Sequence, residues 1–366
     1  MQRLRRYVWP LTIITLLVAA FIIDFMRFGG QFRPLTPTEP FDCQDIPLPG
    51  SAEDIQLDRG RGLAYLSVLD RRGLVAGQNV TGSVMAIDLL NDSPEPIQVL
   101  QSAPQDFRPH GMSLYRMGDG NLRLFVISHR SEQDHTVEVF EQRANGLFQL
   151  VETLRDPGFV SPNAIVATGP RQFYLANDKG ANGLIDRLRE MPLRHGLSTV
   201  IHFDGERGRV VATALKSAVG IALGIDGLKL YVAETLGKRV AVFARNSAND
   251  DLRLLEHIAI DGAPDNLQVD PQGALWIAAH PRLVDLIRHF VDAEHPSPTR
   301  IIRYLHKPDA PIVDERVEIS DIFLDLGNAI SAGSVGASFS GQLLIGSITE
   351  TKLRNCRLPQ ATGVTP

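Results

Sequence analysis

Cysteine is nearly absent from this chain. Among 366 residues there are two, Cys43 and Cys356, far apart in sequence. So small a number excludes a Cys-rich zinc scaffold and a disulfide-stapled mini-domain. Two alternatives stay open: a bridge tying the ends of the folded body together, which persists only in an oxidising compartment, or two unpaired buried thiols. Basic clustering is also missing. Net charge is -5, the pI is near 6.1, and no Lys/Arg run follows Arg3, Arg5 and Arg6, so nucleic acid is excluded as an expected partner. No Gly-x-Ser-x-Gly elbow occurs, which argues against a serine hydrolase of the α/β kind. Nor is there a Gly-x-Gly-x-x-Gly unit for a dinucleotide or an EF-hand loop for calcium.

One long apolar run is present, from Tyr7 to Met26, interrupted by Pro10 and Asp24. At about 1.5 Å per residue it can cross a bilayer, and the preceding arginines keep the amino terminus in the cytoplasm. Val18-Ala19-Ala20 has the small residues of a signal-peptide cleavage site, the competing possibility. The apolar run continues through Phe21-Ile22-Ile23, which favours an uncleaved anchor over residues 1–29. Residues 30–42, with Pro34, Pro37 and Pro40, form a linker to a body spanning 43–366. Under either alternative the body lies outside the cytoplasm: membrane-anchored in a periplasmic, lumenal or extracellular space, or secreted.

The body repeats one grammar. Ala263 to His280 reads as polar loop residues, a short apolar strand, an Asp-Pro-x-Gly turn and a second apolar strand, which is a tight antiparallel hairpin. Similar hairpins begin at Ser51, Pro109, Pro162, Ala218 and Ser331, roughly 50 residues apart. Further β-like pairs between them, such as Thr136 to Phe140 and Arg239 to Phe243, supply outer strands. The expected architecture is all-β: a six-bladed β-propeller behind an N-terminal transmembrane or signal-anchor helix. A β-sandwich with two helical insertions is the alternative.

In a propeller the innermost strands start at one mouth of the central channel, so equivalent positions converge. Those positions read Glu53, His110, Asn163, Val219, Asp265-Asn266 and Ser331 to Ser334. Carboxylates and amide carbonyls without thiolates suit Ca²⁺ rather than Zn²⁺. Taken singly, Asn or Asp before a strand is usually a turn residue; the joint occurrence at matching positions carries the inference. His110 is by itself most simply a structural histidine. His129 ends the partner strand of its hairpin, however, so the two imidazoles can lie side by side and handle a proton.

Gly50 to Asp54, Pro109 to Ser113 with His129, Asn163 to Ala167, Asn177-Asp178, and Asp265-Asn266 through His280-Pro281 resemble the paraoxonase (arylesterase and lactonase) family, from Cys43 to Cys356. The resemblance extends to gluconolactonase and strictosidine synthase-like propellers. It implies a six-bladed, calcium-dependent hydrolase of lactones and aryl esters with a retained hydrophobic N-terminus. By the same resemblance, Glu53, Asn163, Asp265 and Asn266 hold a catalytic calcium, His110 and His129 form a dyad, and Cys43–Cys356 closes the ring. Asp54 and the Met112 carbonyl match ligands of a second, structural calcium. Two departures stand out: Val219 replaces an Asn of the catalytic set, and Ala164 replaces an Asp of the structural one. Calcium tolerates water in place of one neutral ligand, so the first ion is expected to bind more weakly and the second weakly or not at all, its place filled by packing or by Asp178.

The implied chemistry is ester or lactone hydrolysis, with a metal-polarised carbonyl and water activated by His110 and assisted by His129. Two amphipathic segments, Asp186 to His195 and Arg282 to Val291, are expected to cover the channel mouth near the anchor and favour lipophilic substrates, or else to be solvated surface helices. Val219 leaves room for a non-catalytic tethered propeller that binds a ligand or partner. An isomerase or synthase of the strictosidine type would leave the dyad without a task.

Overall fold

The computed structural model describes residues 2–38, 42–180, 189–307 and 317–359. Six four-stranded antiparallel sheets succeed one another along the chain. From inside to outside, the first takes Ser51–Asp58, Leu63–Leu69, Ser83–Asp88 and Ile97–Gln98, and the second Pro109–Arg116, Leu122–His129, His135–Gln142 and Phe148–Leu154. The third uses Pro162–Ala167, Phe173–Asn177, Ser198–Phe203 and Gly208–Leu215; the fourth Ala218–Leu223, Lys229–Glu234, Arg239–Arg245 and Leu252–Ala259. The fifth is Ala263–Val269, Leu275–His280, Thr299–His306 and Val317–Asp325. The sixth combines Gly333–Phe339, Gln342–Ser347 and Lys352–Arg357 with Asp42–Pro47, borrowed from the beginning of the body. The innermost strands touch in succession and the first touches the last, so the sheets are blades of a closed six-bladed propeller.

Burial explains the strand sequences. Second strands are largely covered on both faces and read as mostly apolar runs; every residue of Leu275–His280 is buried. Outer strands keep a wet face, and Val317–Asp325 alternates exposed and covered residues over most of its length. Six apolar clusters each straddle a blade interface, so the core is a ring of contacts between neighbouring blades. In the sixth blade Cys43 lies directly opposite Cys356 and the two form a disulfide, their Cα atoms 4.0 Å apart.

Among the described residues α1 (Gln2–Phe28), α2 (Arg71–Val75) and α3 (Leu283–Val291) flank the ring. Within α1, Trp9–Phe28 has mean hydropathy 2.1 and is unburied; among the described residues it alone is long and apolar enough to cross a membrane. The end of α1 docks on the ring. Phe28 packs on the cluster of Leu236, Leu283 and Leu286, Arg194 lies over the Phe28 ring and pairs with Asp24, and Gln31 donates to Asp285 at 2.7 Å. The helix α3 lies within the expected segment Arg282 to Val291. The other segment, Asp186 to His195, lies partly outside the described residues; positions 189–190 are helical.

Candidate active site

All six innermost strands slip register close to their start. The shifts fall between Ala52 and Ile55, Pro109 and Met112, Pro162 and Ala164, Ala218 and Gly220, Pro264 and Leu267, and Gly333 and Val335. The residues left out of the pairing are Glu53 and Asp54, His110 and Gly111, Asn163, Val219, Asp265 and Asn266, and Ser334. A β-bulge re-aims side chains that a regular ladder would send to one face of the sheet. The positions that the sequence repeat singles out are therefore the bulged ones. The bulges also let blades meet closely: a Cβ on Gly111 would lie 2.3 Å from the carbonyl oxygen of Asn163, and one on Gly220 the same distance from that of Asp265.

Glu53 is the hub. Its Oε1 accepts from Asn266 Nδ2 at 2.7 Å, and its carbonyl accepts from Asn266 Nδ2 at 3.0 Å and from Ser334 Oγ at 2.7 Å. Its other carboxylate oxygen, Oε2, is buried with no hydrogen-bond partner among the described residues; Asn163 Oδ1 is buried and also lacks a well-formed hydrogen bond, although its side chain lies near enough to His110 to favour that ring's charged form. Burial raises the pKa of Glu53, opposed by the charge of Arg71. Asp265 is likewise raised by burial, opposed by His280, whose Nε2 lies 2.9 Å from Asp265 Oδ2. Arg71 reaches the cluster from α2, which Asp70 caps by accepting from the Gly73 N–H; the guanidinium donates to the carbonyls of Ser51 and Pro109.

Asp54 points to the neighbouring blade. Its carboxylate accepts from the N–H groups of Ile55 and Met112, each at 2.7 Å, and burial together with the charge of Glu53 pushes its pKa up to about 8. Met112 thus meets Asp54 through its amide N–H. Ala164 is buried against the Tyr174 cluster. Asp178 binds Ser161 Oγ and lies 3.7 Å from Lys179. Val219 packs with Ala233 and Leu267 and offers no oxygen.

His110 stands 3.8 Å from Glu53 through Nε2. Its ring meets that of His129 edge to face, centroids 5.0 Å apart. Burial and then Arg71 lower the His110 pKa to about 3, and burial holds His129 well below its usual value, so both are neutral near pH 7. Both face a cavity of about 960 Å³ whose wall includes Leu74, Val75, Met191 and Leu236.

Sequence comparison covers the same region. The family model described as Arylesterase matches residues 50–358. The chain belongs to the arylesterase family of hydrolases. Serum paraoxonase/arylesterase 1 of Rattus norvegicus is 29% identical over 329 residues, covering 87% of this chain and 90% of that one. Serum paraoxonase/arylesterase 2 of Homo sapiens is 30% identical over 305 residues, covering 81% and 83%. Among solved structures, a luciferin-regenerating enzyme shares the fold with a TM-score of 0.53 at 12% identity, over 87% of this chain and 95% of that one.

The donor set of this arylesterase-family chain fits a hard divalent cation. Two carboxylates biased by burial toward the neutral form, with Glu53 Oε2 and Asn163 Oδ1 unpartnered, make a set that a proton satisfies only in part. Among the described residues no three His, Cys, Asp or Glu side chains cluster as ligands, so amide oxygens must complete the set. Two further contributors escape sequence inspection. Arg71 carries no motif, and His135, beside His129, is recognisable only once the strand register is known.

Proposed function

We propose that the chain is a calcium-dependent hydrolase of lactones and aryl esters, held at a membrane by α1 with its propeller outside the cytoplasm. The observation that carries this proposal is the pair of unpartnered buried oxygens, Glu53 Oε2 and Asn163 Oδ1, next to a neutral imidazole facing a cavity. Glu53, Asn163, Asp265 and Asn266 would hold one ion; Asp54 and Met112 remain the candidates for a second. Bound calcium supplies a Lewis acid that polarises a carbonyl and steadies the charge developing on its oxygen.

The protein's own groups do the rest. His110, neutral near pH 7, takes the proton of the attacking water, and His129 packs edge-on against the His110 ring to hold it. Leu74, Val75, Met191 and Leu236 hold the apolar part of a lipophilic substrate. The disulfide and the apolar α1 support an oxidising compartment beyond the cytoplasm.

The test is an assay of the detergent-solubilised full chain on phenyl acetate and simple lactones, with and without a calcium chelator. Activity should vanish on chelation and return with Ca²⁺. No activity in either condition, with no calcium in the protein, would sink the hydrolase proposal. Activity that survives Glu53→Gln but requires His110 would overturn the metal's part in it.

A further inference from the structure

Every turnover of an ester to a carboxylate near neutral pH releases one proton, and a buried base must pass that proton on. The hairpin between Leu122–His129 and His135–Gln142 provides a path. His129 and His135 are directly opposed, the last pair of that ladder, and opposed residues share a face of the sheet. Their rings are therefore driven together: Nδ1 to Nδ1 is 2.9 Å, with centroids 4.8 Å apart. At that distance one nitrogen carries the hydrogen and the other a lone pair. His110, His129 and His135 all line the same cavity, and His135 is half-buried.

We propose that His135 is the exit of a three-histidine proton relay, an inference that rests on the hydrolytic function proposed above. The water O–H bond breaks as its oxygen bonds to the acyl carbon, and His110 accepts the proton. His110 passes it through a bridging water to His129, whose ring it meets edge to face; His129 donates Nδ1–H to His135 Nδ1, and His135 releases its Nε2 proton to solvent. Each ring gains one proton and loses one, and the carboxylate product balances the exported charge. Burial lowers the pKa of His135, so the ring returns to the neutral form once its proton has left; Asp134 from its own hairpin, Asp178 from the next blade and the Glu132 backbone oppose that shift, Lys179 adds to it, and His129 supplies the partner nitrogen.

The experiment compares full-length wild type with His135→Gln and His135→Asn, solubilised in detergent, on phenyl acetate at neutral pH in dilute and in concentrated imidazole buffer. The variants should lose kcat on the order of tenfold in dilute buffer with KM unchanged, and concentrated imidazole should restore it. Wild type should be insensitive to the buffer. An unchanged kcat in dilute buffer, or a loss that imidazole does not restore, overturns the relay. Inactive wild type would count against the hydrolytic function instead. The geometry is then read separately from ¹⁵N-histidine spectra: a downfield ring N–H signal present in wild type and His110→Gln and lost in His135→Gln supports the His129–His135 bond, and its absence in wild type overturns it.

Discussion

In the proposed mechanism His110 acts as a base while buried beside a guanidinium, and burial and the guanidinium both keep its ring neutral. The folded protein refuses a proton, down to about pH 3, that an unfolded chain accepts near pH 6.5. Stability associated with the neutral ring is thus fully present above about pH 6.5 and declines as pH falls toward 3. His110→Gln removes this linkage, so the excess of the wild-type melting temperature over the variant's should shrink on acidification, as measured by calorimetry. Glu53 makes the complementary case. Calcium should raise the melting temperature of wild type by roughly 5 °C at saturation and leave Glu53→Gln unmoved, with activity of the variant down by on the order of 10²–10³. Val219→Asn adds back an amide at the bulge: calcium affinity should rise, read by titration calorimetry, while loss of the apolar contact with Leu267 costs about 1–2 kcal/mol in denaturant unfolding.

Among elements, the bulged innermost strand is the unit that makes a site out of a repeat. A regular strand would divide Glu53 and Asp54 between opposite faces, both packed against blades; the slip between Ala52 and Ile55 frees them. Close approach of the blades is part of the same device. Gly111→Ala would drive a Cβ into the Asn163 carbonyl, so it should cost about 1–3 kcal/mol and depress activity, whereas Gly118→Ala, with nothing within 4 Å, should change neither. Equilibrium unfolding and kcat/KM on the same preparations check both. Much of this scale is legible without coordinates, because Asp-Gly, Asp-Pro-x-Gly and Gly-Pro turns between apolar runs mark the hairpins and a roughly 50-residue period marks the blades. The bulges are not legible, since a one-residue slip leaves the apolar pattern almost unchanged.

For the whole molecule, closure of the ring is the decisive event. A strand from the start of the body completes the last blade, and the disulfide pins it across 313 residues of sequence. Cys43→Ser with Cys356→Ser should cost about 2–5 kcal/mol, with the melting temperature lowered and proteolysis beginning at the Asp42–Pro47 strand. Closure also assembles the candidate site, because Glu53 of the first blade bonds Asn266 of the fifth and Ser334 of the sixth, contacts that exist only in a completed ring.

Composition, turn chemistry and the hairpin period pointed to an all-β propeller, an apolar N-terminal helix and the starts of its six innermost strands, because short-range pattern dictates strands and their repeat. Which oxygens lack partners, how Arg71 enters from a short helix and why His135 meets His129 were decided by tertiary structure. The Glu53 contacts depend on register slips and on partners hundreds of positions away, whereas Arg71 and the His129–His135 pair depend on how a short helix and a hairpin register are set, which the apolar pattern does not fix.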